Sequence, residues 1–145
     1  MKDYKEKSLN QLIGRWEMEV PREDYSSSIQ LRTYKLYHKR IQDYELEDIR
    51  FMIIQKQGLK HLIPLALNHL KENLLIEADY YEGDVLSGVL SVDGTFWAKN
   101  LKLYSEFYQI LLNNKEQLSS LDPRYESDRN LLKGCDHFLK IQITK

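Results

Sequence analysis

Apolar positions recur at helical spacing through most of this 145-residue chain, and the breaks in that spacing mark out its elements. The clearest stretch runs from Tyr44 to Leu90. Glu47-Asp48 supplies the negative charge that a helix N-terminus favours, and Ile49, Met52, Ile53 and Lys56 then follow one face up to Gly58, a left-handed C-terminal stop. Leu59, Leu62, Ile63, Ala66, Leu67 and Leu70 form a second stripe directly after that glycine. Pro64 lacks an amide hydrogen, so this second helix is expected to begin between Leu59 and His61 with the proline in its first turn. One glycine leaves no room for a long connection, and residues 46–72 read as a tight helical hairpin.

The flanks carry weaker versions of the same pattern. Ser8 before Leu9, Leu12 and Ile13, with Gly14 as a stop, predicts a short capped turn, and Trp16, Met18 and Val20 alternate with charged residues as a brief extended segment would before Pro21. Ser26-Ser27-Ser28 offers N-caps for a helix that places Ile29, Thr33, Leu36 and Tyr37 near one face and ends in Lys39-Arg40. Leu74, Leu75 and Ile76 anchor a connection, Glu82 and Asp84 begin a helix carrying Val85, Leu86, Val89 and Leu90, and Asp93-Gly94-Thr95 punctuates before Phe96-Trp97. Leu101 to Asn113 is a further helix with Leu101, Tyr104, Tyr108, Leu111 and Leu112 inward. Residues 114–127 read as a loop, after which Ser127 or Asp128 caps a last helix bearing Leu131, Leu132, Cys135, Phe138 and Leu139. Ile141 and Ile143 alternate with polar residues, which leaves the last five residues open to either a helical or an extended course.

The expected fold is therefore all-α: one domain over residues 1–145, with residues 1–7 frayed, forming a bundle of about six helices around the central hairpin and with the helices around Trp97 packed across it. Six glycines and three prolines fit helices better than a turn-rich β architecture. Ten tyrosines are an unusual addition, compatible with a recognition surface but also with the edge of a core. A formal net charge of −1 argues against a general nucleic-acid binder and leaves any electrostatic steering to local patches. The lone Cys135 has no partner for a disulfide or a thiolate cluster and suits a reducing cytoplasm. The first twelve residues hold no apolar core of signal-peptide length, and no apolar run approaches a membrane span.

Candidate chemistry is sparse. Glu77, Asp79, Glu82 and Asp84 could bind a hard metal or serve in acid-base work, but their spacing is not that of a calcium loop, and capping with local turn bonds is the plainer reading. His38, His61, His69 and His137 form no metal-ligand pattern and are read as solvated. Ser26 to Ser28, Ser87 and Ser91 lack a nucleophile elbow, no glycine-rich phosphate cradle occurs, and Cys135 sits on an apolar stripe as a packing residue. No catalytic residue, metal ligand or cofactor is assigned.

The order Glu47-Asp48-Ile49-Arg50, Gln57-Gly58-Leu59, Pro64-Leu65-Ala66-Leu67, Glu77, Asp79, then Tyr81 with Gly83-Asp84-Val85-Leu86 resembles the helical immunity proteins of bacterial contact-dependent growth inhibition (CDI) systems. The match extends upstream through Ser8-Leu9, Trp16, Pro21, Leu36 and Ile41 and downstream to Phe96-Trp97, and ends near Asn113. It departs from the family's usual pattern at Glu45, Leu74 and Glu82. The resemblance implies a cytoplasmic, non-catalytic protein that binds and neutralises the C-terminal toxin domain delivered by sibling cells, often a nuclease. Such a toxin would carry a basic surface, which acidic groups beside tyrosines could occupy. On that basis the candidate toxin-binding residues are Glu77, Asp79, Tyr80, Tyr81 and Glu82, joined by Glu19, Glu23 and Tyr25 from the mixed acidic and aromatic run near the N-terminus. The partner would be a protein, with no direct nucleic-acid or membrane contact. The rival readings are a non-catalytic helical adaptor or transcription-associated module, and a small hydrolase using the Glu77 to Asp84 carboxylates.

Overall fold

The computed structural model describes residues 4–22 and 26–141. Among these, α1 (Leu9–Leu12), α2 (Ser28–His38), α3 (Leu46–Ile54), α4 (Leu59–Glu72), α5 (Asp84–Leu90), α6 (Gly94–Lys99), α7 (Leu101–Asn113), α8 (Lys115–Ser119) and α9 (Glu126–Lys140) are joined without any strand. The expected all-α bundle is present, and the α3–α4 hairpin is its centre: α3 packs on α4 and α5, α4 on α7, and α5 and α7 on α9.

Side-chain chemistry places the helix starts. At α1 the Gln11 amide donates to Ser8 Oγ (3.3 Å) and the Ser8 amide to Gln11 Oε1 (2.9 Å), and Ser27 with Gln30 repeats this reciprocal cap at α2 (3.1 and 2.8 Å). At α3, where Glu45 stands at the cap position, Asp48 turns back to accept the Glu45 amide hydrogen at 2.9 Å.

The turn of the hairpin differs from the expectation. Lys56, with φ 59°, is the left-handed residue that ends α3; its amide donates to Ile53 O (2.9 Å) and that of Gln57 to Met52 O (2.9 Å). This is the paired bonding of a Schellman stop. Gly58, also left-handed at φ 65°, instead precedes the first residue of α4. It also meets the N-terminal segment, since a Cβ there would lie 2.6 Å from Leu9 Cδ2. Pro64 is the sixth residue of α4, beyond its first turn; the carbonyl it leaves without a helical donor belongs to the exposed Lys60.

The core runs from Leu9 through the hairpin to an aromatic layer on α6, α7 and α9. Trp97 stacks on Phe107 (ring centroids 5.6 Å) and meets Phe138 edge-on (5.4 Å), while its Nε1–H donates to Val92 O at 3.3 Å. Four sequence expectations change here. The buried face of α7 is Phe107, Ile110 and Leu111, with Leu101, Tyr104, Tyr108 and Leu112 only half-buried. Residues 115–119, expected as loop, form α8, and α9 starts at Glu126, so that Ser127 and Asp128 lie inside its first turn and Asp128 accepts the Asp122 amide (3.0 Å) instead of capping the helix. Residues 4–6 form a 3-10 turn whose Tyr4 hydroxyl donates to His61 O at 2.8 Å, so this part of the expected frayed end is tied to α4. Ile141 is extended at φ −64°, ψ 131°, whereas Ile143 and the rest of the alternating tail lie outside the described residues.

Several tyrosines act as ties. Tyr37 donates to Gly14 O, Tyr44 to Leu36 O and Tyr104 to Ile141 O, each joining separate segments through one hydroxyl. Cys135 is buried, and burial pushes its thiol pKa up to about 12, in keeping with its reading as a packing residue.

Candidate functional site

The acidic, tyrosine-rich connection between α4 and α5 is irregular, yet one buried side chain organises it. Asp84 is fully buried at the first residue of α5, and its carboxylate accepts amide hydrogens from Ala78 (2.7 Å), Asp79 (2.9 Å) and Tyr80 (2.8 Å). Of the capping and local turn bonds expected of this acidic set, Asp84 makes the turn bonds, reaching back across the loop and away from the first turn of its own helix. Gly83 makes this reversal possible at φ 91°, and a Cβ there would sit 2.6 Å from Leu131 Cδ1. α5 consequently begins at Asp84, with Glu82 left in the preceding turn.

Arg50, on α3, closes the arrangement. Its Nε–H donates to the Asp84 carbonyl (3.0 Å) and lies 3.7 Å from the Asp84 carboxylate, while its guanidinium sits over the Tyr80 ring at 4.8 Å. Burial alone would raise the Asp84 pKa, but the amides of Tyr80, Ala78 and Asp79, with Arg50 beside them, outweigh it and hold the group below its ordinary value. Asp84 is thus an anionic keystone whose lone pairs are engaged by the protein, not a free base. Glu77, Asp79, Tyr80 and Glu82 project from the frame it sets, all exposed, and Tyr81 is half-buried. None of the four carboxylates Glu77, Asp79, Glu82 and Glu19 pairs with a cation among the described residues. No cluster among the described residues has the makeup of a metal site.

Glu19 belongs to the Trp16–Arg22 segment, which runs without regular structure over α2. Trp16 pins it there, meeting Tyr34 and Tyr37 edge-on (both 5.2 Å) and donating from Nε1 to Glu19 O at 3.4 Å. His38 also joins this group, 4.5 Å from the Tyr34 ring, and His61 packs on Tyr4 at 5.4 Å with its pKa lowered by burial and by Lys60. His38 remains exposed, as expected of a solvated group, while His61 is half-buried. Glu23 and Tyr25, the remaining candidates, lie outside the described residues.

The structure brings Tyr80 and Glu19 to the borders of two adjoining clefts. A smaller one of about 300 Å³ is lined by Tyr80, Arg50, Phe51, Arg32 and Ile54, and a larger one of about 680 Å³ by Glu19, Trp16, Met18 and Val20; Ile29 and Gln55 belong to both. Ile29, expected near one face with Thr33, Leu36 and Tyr37, is 52% exposed while those three are buried. Ile54 and Ile29 escaped the sequence reading as surface groups because an apolar residue on an amphipathic helix is ordinarily assigned to the core; that Ile54 breaks the inward spacing of Ile49, Met52 and Ile53 was the one available signal.

The family of CDI immunity proteins matches the chain over residues 15–107, a span that contains α2 to α6, the Asp84-keyed loop and both clefts. No curated protein matches the chain significantly.

Proposed function

The chain belongs to the CDI immunity proteins, and from that premise we propose that it is a stoichiometric inhibitor that binds the C-terminal toxin domain of its own CDI system in the cytoplasm and blocks it without catalysis. The observation that carries this reading, beyond family membership, is the rigid presentation of exposed groups by the Asp84 keystone: Tyr80 is 68% exposed yet held by a backbone bond and a stacked guanidinium. A pre-ordered aromatic beside unpaired carboxylates fits protein recognition, because little conformational freedom remains to be lost on binding. The carboxylates Glu77, Asp79, Glu82 and Glu19 would face basic groups of the toxin; a nuclease domain, with its substrate-binding surface, fits that chemistry.

The test is co-expression with the toxin domain encoded beside this gene and with unrelated toxin domains, together with a binding measurement on purified components. Protection against the first only, with a 1:1 complex, is the expected result. Tyr80→Ala combined with Glu82→Lys should weaken that complex by ~30-fold or more, the scale for loss of an anchoring aromatic and a charge contact, while helical circular dichroism stays unchanged. Protection without any complex would remove direct inhibition from consideration.

A further inference from the structure

The two clefts share a floor that has no structural task to explain its exposure. Met18 (57%), Val20 (56%), Ile29 (52%) and Ile54 (37%) are all open to solvent, and they border clefts that meet at Ile29 and Gln55. Of the remaining large apolar side chains with comparable exposure, Tyr80 lies at one end of this same strip. A contiguous apolar surface of this kind marks an interaction site more often than scattered exposed residues do.

The charged groups around the strip fall into two sets. Three of the described cations line it: Arg32 is 3.2 Å from Asp48 and stacked over Phe51 at 4.2 Å, Arg50 is committed to Asp84 and Tyr80, and Arg22 borders the larger cleft near Glu19. The anions at its two ends, Glu19 on one side and the Glu77 to Glu82 loop on the other, have no cationic partner among the described residues. The surface is apolar at its centre and carries carboxylates without cationic partners, among the described residues, at both ends.

Resting on the function proposed above, we infer that this α2–α3 strip is the centre of the toxin interface, and that its occupant is a basic face of the toxin domain with an apolar side chain projecting into the cleft beside Ile29 and Ile54. The apolar centre excludes water and supplies affinity; the carboxylates at the rim select a basic partner and speed its approach. Hot spots concentrate in such a desolvated centre, so the sequence-visible acids at the edge contribute less to affinity than the two isoleucines.

The experiment uses the full chain and a catalytically inactivated form of the toxin domain encoded beside it. Ile29→Arg and Ile54→Arg are each expected to raise the dissociation constant by at least ~30-fold, and the milder Ile29→Ser and Ile54→Gln by ~10-fold, with thermal unfolding close to wild type since both side chains are partly exposed. Tyr125→Ala, which removes an exposed aromatic that lines neither cleft, should bind as wild type. Undiminished binding by all the isoleucine variants would overturn the strip as the interface and leave the inhibitor reading intact. Absence of binding by the wild-type chain would overturn both. Concentration-dependent self-association that Ile29→Arg abolishes would show the strip to be an interface between copies of this chain, which also overturns the inference.

Discussion

Asp84 concentrates in one carboxylate much of what holds the candidate surface in shape. Removing a charged group from water is unfavourable, but three amide hydrogens and one guanidinium are aimed at it, so its ionised form is favoured when folded. The consequence for pH follows in a definite direction. The folded-state pKa lies below the ordinary 3.8, so the stabilisation is complete above that value and is lost as pH falls through the folded-state pKa. Asp84→Asn, which offers the same shape but directs an amide nitrogen at backbone donors, should cost about 2 kcal/mol at neutral pH, the scale of hydrogen bonds to a charged group. The gap between variant and wild type should then narrow below pH 3.8. Denaturant unfolding at a series of pH values measures both; a gap that stays constant to strongly acid pH would mean that the ionised form has no special partner.

At the scale of elements, the hairpin turn places two left-handed residues where one was expected, and the two respond oppositely to substitution. Gly58→Val meets the left-handed penalty of about 1–2 kcal/mol and also overlaps Leu9, so it should lower stability by at least that amount. Lys56→Gly relieves a similar penalty at the end of α3, at some cost in unfolded-state entropy, and should raise stability by about 0.5 kcal/mol. Melting of the two variants beside wild type decides the assignment: a stabilised Gly58→Val would exclude this turn. Helices with one buried stripe were legible from spacing, as in Leu62, Ile63, Ala66, Leu67 and Leu70 of α4. α7 was not, because it contacts α4, α6 and α9 and carries apolar residues around much of its circumference, so spacing alone could not select Phe107 and Ile110. The Asp84 loop was half legible. Its acids and tyrosines stood out by composition, whereas the reach of Asp84 back to residues 78–80, and of Arg50 from another helix, is a tertiary fact with no periodic signal. The apolar strip was hidden for the same reason, since it needs residues 16–22, 28–33 and 50–55 to meet.

For the whole molecule, 21 basic against 22 acidic side chains leave almost no net field, so a charged partner can be guided only by local imbalance. That imbalance exists at the rim, where Glu77, Asp79, Glu82 and Glu19 stand without cationic partners among the described residues. Screening over about 8–10 Å at ordinary ionic strength reaches exposed charges of this kind but weakens little in a desolvated apolar contact. Rate and lifetime should therefore separate. Glu77→Gln with Asp79→Asn should slow association with the inactivated toxin domain severalfold at low salt and flatten its ionic-strength dependence, while the dissociation rate stays near wild type. Tyr80→Ala, which removes a stacked aromatic and no charge, should do the reverse, raising the dissociation rate and preserving the salt dependence of association. Stopped-flow association at several salt concentrations distinguishes the two. A wild-type association rate insensitive to salt would mean that the rim carboxylates do not face a basic partner, and the acidic half of the proposed interface would have to be abandoned.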